Sequence, residues 1–273
     1  MKSQWDENRI TTETEQRAVL RLDNRVAVVT GGGSGIGRAI ASCFAGAGAD
    51  VRIFDLDAAL ATEVEIRSFG GKVSSKTCDV ANEDSVDLAF AESFADGFVD
   101  ILVNNAGIAC IGDIEHTSQH DLEKVFRINV GGVYHCMRAC IPHMKENGGG
   151  VILNLASIAA TAGIPDRFAY SMSKGGVVAM TYSVAKDYLP FNIRCNCISS
   201  PWVHTPFVDG FLRTNYPARE EEMFEKLSAA QPIGHMARPH EVAMLALFLY
   251  LNDASFITGM DYPIDGAFFN LQD

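Results

Sequence analysis

Residues 25–45 read RVAVVTGGGSGIGRAIASCFA. A short valine-rich run with no polar interruption is the pattern of a strand covered on both faces. It breaks into glycines and passes at once into a helix. In that junction Gly31 permits a tight turn, Gly35 lets the backbone come close to a ligand, and Gly37 lets the helix pack against the sheet. The helix start presents free N–H groups and the positive end of its dipole, a setting for a pyrophosphate. A strand, a glycine turn and a helix in this order fit a parallel α/β layer structure far better than any all-helical or antiparallel one.

The same rhythm runs along the rest of the chain. Strands are expected at DVRIFDLD, KVSSKTCDV, VDILVNNAG, GGGVILNLAS, NIRCNCISS and GMDYPIDGAF. Helices are expected between them, including one long helix over residues 119–145 and one over FAYSMSKGGVVAMTYSVAKDYLP. Residues 203–232 read as irregular, with prolines and an acidic cluster at Glu220, Glu221 and Glu222. Right-handed crossovers then give a single-domain α/β fold, a doubly wound parallel sheet with helices on both faces. Residues 1–24 are polar and mixed in charge and read as a mobile N-terminal extension, with the domain at 25–273. They match neither a signal peptide nor an organelle transit peptide.

With 48% hydrophobic residues among 273, the chain can fill one large core. A formal net charge of −12 without a basic stripe argues against nucleic acid and against anionic membrane as partners. The longest apolar run, Val242 to Leu251, is too short to span a bilayer. The seven cysteines are scattered, with no C-x-x-C pair. They read as reduced thiols of a cytoplasmic protein, with neither a disulfide framework nor a metal site.

Asp55 closes the second strand. An acid there can accept hydrogen bonds from both ribose hydroxyls of NAD and repels the 2′-phosphate of NADP. No Lys or Arg lies inside the glycine loop to favour that phosphate, and Arg38 stands just past it. The cofactor expected is NAD. Farther on, Tyr170 and Lys174 share one helix face a turn apart.

Several motifs stand in a fixed order: TGGGSGIG, CDV, NNAG, NVGG, LAS and YSMSK. Together they resemble the short-chain dehydrogenase/reductase family from about Arg25 to Phe268. The resemblance implies a Rossmann fold and an NAD-dependent oxidoreductase acting on a CH–OH group. It implies a catalytic set of Asn129, Ser157, Tyr170 and Lys174. It also implies cofactor contacts at Gly31, Ser34, Gly35, Ile36, Gly37, Asp55, Leu56, Asp79, Val80, Asn105, Ala106, Gly107, Val203 and Thr205, with Tyr170 and Lys174 added. One departure stands out: where relatives carry Pro-Gly after the sixth strand, this chain has Ser200, Pro201 and Trp202.

In that setting Tyr170 is the base that takes the hydroxyl proton as hydride leaves carbon. Free tyrosine ionises near 10, so it needs positive charge nearby, and Lys174 one turn away is the expected source. Ser157 would hold the substrate oxygen, and Asn129 a water linking Lys174 to solvent. Substrate contacts are expected from Ser157, Ala159, Arg167, Phe168, Trp202, His204 and Phe207. Arg167 reads either as a carboxylate partner or as a solvated surface residue, and Trp202 either as a pocket wall or as a core aromatic. A sugar, polyol or sugar acid is the substrate expected, from a weaker resemblance to L-fucose and 2-keto-3-deoxy-sugar-acid dehydrogenases. A hydroxysteroid or 3-oxoacyl substrate is the alternative, and a non-catalytic NAD(H) sensor a remote one. The apolar helix at Val242–Leu251 and the resemblance point to a homotetramer.

Overall fold

The computed structural model describes residues 20–271. A wholly parallel sheet of seven strands forms its middle layer: β1 (Val26–Thr30), β2 (Asp50–Asp55), β3 (Lys72–Thr77), β4 (Ile101–Asn104), β5 (Gly150–Leu155), β6 (Ile193–Ser199) and β7 (Asp261–Pro263). The order is β3-β2-β1-β4-β5-β6-β7. The helices among the described residues are α1 (Gly35–Gly46), α2 (Leu60–Ser68), α3 (Glu83–Ala95), α4 (Gln119–Phe126), α5 (Gly132–Glu146), α6 (Phe168–Tyr188), α7 (Pro206–Asn215), α8 (Glu220–Ala229) and α9 (Pro239–Tyr250).

The two-residue period of the strands divides the core in two. Ala27, Val29, Val51 and Ile53 face the layer that contains Ile40 and Phe44 of α1 and Leu247 of α9. Val28, Phe54, Leu102 and Ile152 face the opposite layer, with Phe90 of α3, Met144 of α5 and Val177 of α6. Cys195 and Cys197 both lie in this second layer. All seven cysteines are free thiols. Among the described residues no helix is long and apolar enough to cross a membrane. The strand order reverses between β1 and β4, and such a switch point opens a crevice at the carboxyl ends of the strands.

The structure departs from the sequence-based reading in five places. Residues 1–19 of the expected extension lie outside the described residues, but Leu22 is only 3% exposed and its N–H donates to the Ala47 carbonyl (2.8 Å). The packed unit therefore includes residues before Arg25. The stretch 203–232 is not irregular: it contains α7 and α8. Thr205 caps α7 and Pro206 opens it, while Glu220, Glu221 and Glu222 fill the first turn of α8, where acids suit the helix dipole. The helix over 119–145 is interrupted by a π-helical turn at Arg127–Gly131. The last strand is confined to Asp261–Pro263, because Pro263 offers no N–H and Gly266 turns the chain at φ +56°. Finally, α9 spends most of its apolar surface inside the molecule, against α1, with the Phe44 and Tyr250 rings meeting edge to face at 5.0 Å.

Candidate active site

The crevice is built from strand ends. Thr30, the last residue of β1, accepts the N–H groups of Asn105 and Ala106 on its hydroxyl (3.0 Å each). The Asn105 side-chain amide donates back to the Thr30 and Gly31 carbonyls (2.9 and 3.1 Å). These bonds clamp the glycine turn to the loop after β4. Gly31 and Gly35 take φ values of +65° and +54°, where a side chain would be strained. A Cβ on Gly37 would collide with the Gly31 carbonyl, so α1 begins hard against the turn.

One groove runs from this turn across the sheet. Asp55, Leu56, Asp79 and Val80 line one end, and Tyr170 and Lys174 the other. Between them lie Ser34, Gly35, Ile36, Asn105, Ala106 and Gly107. Asp55 is held at the groove edge by the Gly33 and Leu56 N–H groups, both 2.8 Å from its carboxylate. Arg38, the nearest cation in sequence, points elsewhere: its Nε donates to Glu65 (2.7 Å), which also accepts from Ser42 (2.8 Å). Of the expected cofactor contacts, Gly37 and Val203 do not line the groove. Gly37 lies beneath the turn, and Val203 borders the pocket next door.

At the far end, α6 brings Tyr170 and Lys174 to the tip of β5. Lys174 is 7% exposed and donates to the Leu155 carbonyl (2.6 Å). Burial lowers its pKa to about 8. Asn129, 1% exposed, sits in the π turn with its amide fully used: it accepts from the Ile108 N–H (2.9 Å) and donates to the Ile108 carbonyl (2.9 Å) and the Ser173 hydroxyl (3.0 Å). Such a turn inserts an extra residue into a helix, a recurrent device at functional sites. Here it aims Asn129 at the loop after β4. Ser157 ends the β5 loop and donates to the Ser200 carbonyl (3.4 Å).

The surroundings of Tyr170 act on its pKa in opposite directions. Burial raises its pKa, and the nearby Ser157 hydroxyl and the charge of Arg167 oppose that rise. Lys174 Nζ stands 5.8 Å from the centre of the tyrosine ring and is bound to Leu155. Arg167 adds a second cation close enough to favour the phenolate.

A second pocket opens beside Tyr170, with mostly apolar walls that include Ile158, Ile164, Pro201, Phe207 and Phe211. Ser157, Ala159, Arg167 and Trp202 also line it. Two expected substrate residues do not. Phe168 borders a shallow surface hollow, and His204 turns outward to Asp209 (3.1 Å) with its ring edge-on to Phe224. Trp202 is both a pocket wall and a partner of Phe211, with ring centres 5.5 Å apart. Phe211 was hidden in the segment read as irregular, although the Thr205-Pro206 helix start and the spacing of Phe207 and Phe211 carry a helical signal. Ser173 and the Leu155 carbonyl, which hold Asn129 and Lys174, give no sequence signal. Among the described residues no group of His, Cys, Asp and Glu is placed to hold a metal ion.

Comparison with known proteins fits this geometry. A family model described as "Enoyl-(Acyl carrier protein) reductase" matches residues 31–268. An "uncharacterized oxidoreductase" of Bacillus subtilis is 39% identical over 90% of this chain and 92% of its own length. The 2-(R)-hydroxypropyl-CoM dehydrogenase of Xanthobacter autotrophicus is 36% identical over 90% of this chain and 98% of its own. A short-chain dehydrogenase/reductase structure from Burkholderia xenovorans superposes with a TM-score of 0.89 at 34% identity, covering 93% of this chain and 99% of that one.

Proposed function

The chain belongs to the short-chain dehydrogenase/reductase family, an oxidoreductase acting on alcohols or ketones, and from that premise we propose that it is an NAD-dependent dehydrogenase of a small secondary alcohol with Tyr170 as its proton-transferring group. The observation that carries this reading is that Tyr170 lines both hollows at once, the long groove and the apolar pocket.

The groove suits a nicotinamide dinucleotide on its own residues. The Gly31–Gly37 cradle lies at the α1 N-terminus, where N–H groups are free for phosphate. Asp55 stands at the adenosine end, with Arg38 taken up by Glu65, and this favours NAD over NADP. When bound, NAD supplies the acceptor for the hydride that leaves the carbinol carbon. The protein's part is to hold the alcohol and move its proton. The Tyr170 oxygen takes the hydroxyl proton as phenolate. Ser157 donates to the oxygen and steadies its charge. Lys174, fixed by Leu155, faces the groove with its remaining N–H groups, placed for ribose hydroxyls. Asn129 braces the loop after β4, with its side chain committed to Ile108 and Ser173.

The apolar pocket bears on the substrate. A neutral sugar or polyol needs many hydroxyl partners, and the walls offer few beyond Ser157, Tyr170, Arg167, Ser200 and Thr205. Among the substrates the resemblance implied, the pocket favours those with few hydroxyls. The same walls favour, as a second reading, a hydroxysteroid or 3-oxoacyl substrate.

The test is Tyr170→Phe, which removes one hydroxyl and keeps the ring. A panel of secondary alcohols with NAD, followed at the absorbance of NADH, first gives a substrate. The variant should keep its melting temperature and lose about two to four orders of magnitude in kcat. Activity within about threefold of wild type removes Tyr170 from the chemistry.

A further inference from the structure

We propose that Arg167 determines specificity at this site by holding an anionic end of the substrate, so that the preferred alcohol is a short aliphatic hydroxy acid in its carboxylate form. The inference rests on the reading of Tyr170 as the proton-transferring group.

Three observations converge on it. First, Arg167 is the one cation lining the apolar pocket that Tyr170 and Ser157 also line. Second, its guanidinium is stacked over two rings from a distant part of the chain, with Cζ 4.8 Å from the centre of Phe211 and 5.5 Å from that of Trp202. Contact with the two ring faces restrains the group and leaves N–H donors free to form bonds. Third, that edge is largely unused. A guanidinium carries five N–H donors. The bond Arg167 makes through its side chain is Nη1 to the Asp166 carbonyl (3.2 Å). No Asp or Glu among the described residues forms an ion pair with it.

Burial works against the charge of this guanidinium. A cation in apolar surroundings without a carboxylate is a costly arrangement for a protein to keep. A substrate carboxylate in the planar, two-bond geometry that arginine favours removes the cost. The backbone is fixed as well: the Gly112 N–H donates to the Asp166 carbonyl and the Phe168 N–H to the Gly112 carbonyl, both at 3.0 Å. Arg167 is the N-cap of α6 and Tyr170 lies three residues on in its first turn, and both line the one pocket. That placement suits a carboxylate a few bonds from the carbinol carbon. The apolar walls take the aliphatic chain.

The experiment compares short 2-, 3- and 4-hydroxy acids with their own primary amides, which match them in shape and lack the charge. Wild type should favour at least one acid over its amide by about tenfold or more in kcat/KM, chiefly through KM. Arg167→Gln should erase that ratio, and Arg167→Lys should restore part of it. The ratio is internal to each variant, so a general loss of activity does not move it. A binding readout runs alongside: with NADH present, a short saturated carboxylate should raise the melting temperature of wild type and not of Arg167→Gln. Equal stabilisation by acid and amide in wild type overturns the proposal, whether or not turnover is seen. An acid-to-amide ratio unchanged in Arg167→Gln overturns it too. Neither result touches the role of Tyr170, which stands or falls with Tyr170→Phe.

Discussion

Lys174 shows how a site residue is kept at a cost to the fold. Buried at the tip of β5, its ammonium has a pKa of about 8, against an ordinary value of 10.5. A cation whose folded pKa is depressed destabilises the fold below that folded value, where it must be charged in the interior. Stability then rises with pH between about 8 and 10.5, where the unfolded chain still binds the proton and the folded one has released it. Lys174→Met should therefore melt a few degrees higher than wild type at pH 7, by about 1–3 kcal/mol after the lost bond to Leu155 is set against the relief of charge. The advantage should fade toward pH 10.5, and NAD binding should weaken at every pH. A melting temperature at or below wild type throughout that range refutes the account. Asp55 poses a simpler question. Its carboxylate is set by Gly33 and Leu56, and the proposed NAD preference rests on it. Asp55→Ala should shrink the kcat/KM preference for NAD by about tenfold to a hundredfold, the scale of a hydrogen bond to a charged group. A wild-type ratio favouring NADP overturns the assignment.

At the scale of elements, the wall of the apolar pocket is a unit of its own. Helices α7 and α8 pack on Val208, Leu212, Met223 and Met236, with Trp202, Phe211 and Phe224 against them. This cluster shares no residue with the two cores that flank the sheet. A small separate cluster opens more readily than a shared core. Leu212→Ala should cost the cluster about 2–5 kcal/mol and loosen it locally. Amide hydrogen exchange should speed up over Pro206–Ala229 while the strands stay protected, and KM should rise more than kcat falls. Exchange that rises equally in β1 to β6 would show that the wall is not an independent unit. The cofactor side is different in kind, since the glycine turn, Thr30 and Asn105 are tied into the sheet itself.

For the whole molecule, surfaces other than the buried face of α9 bear on assembly. That helix is largely buried against α1, so its apolar run says little about partners. The exposed large apolar side chains include Phe126 and Tyr134 on α4 and α5, and Phe256 and Met260 near the sheet edge at β7. Phe256 is fully exposed. Two separate self-complementary faces generate a tetramer with two-fold axes. Light scattering at micromolar concentration should give four times the mass of the chain. A monomer refutes the inference, and a dimer limits it to one face.

The sequence by itself determined the layered fold, the cofactor groove and the Tyr170–Lys174 pair. All three are set by local rules. A two-residue apolar period makes buried strands, glycines make the turn, and one helical turn puts Tyr170 and Lys174 on one face. Tertiary structure alone decided the rest. The fate of Arg167 depends on rings from residues 202 and 211, far along the chain, so its own neighbours in sequence cannot distinguish a stacked cation from a solvated one. The π turn at Asn129 is held by side-chain bonds to Ile108 and Ser173, neither of them on the turn itself. Helix spacing places Lys174 beside Tyr170, but only the fold ties it to Leu155 and buries it until its pKa falls to about 8. Charge and reach are properties of a place in the folded chain, because burial sets the energy of an ion and only packing sets burial.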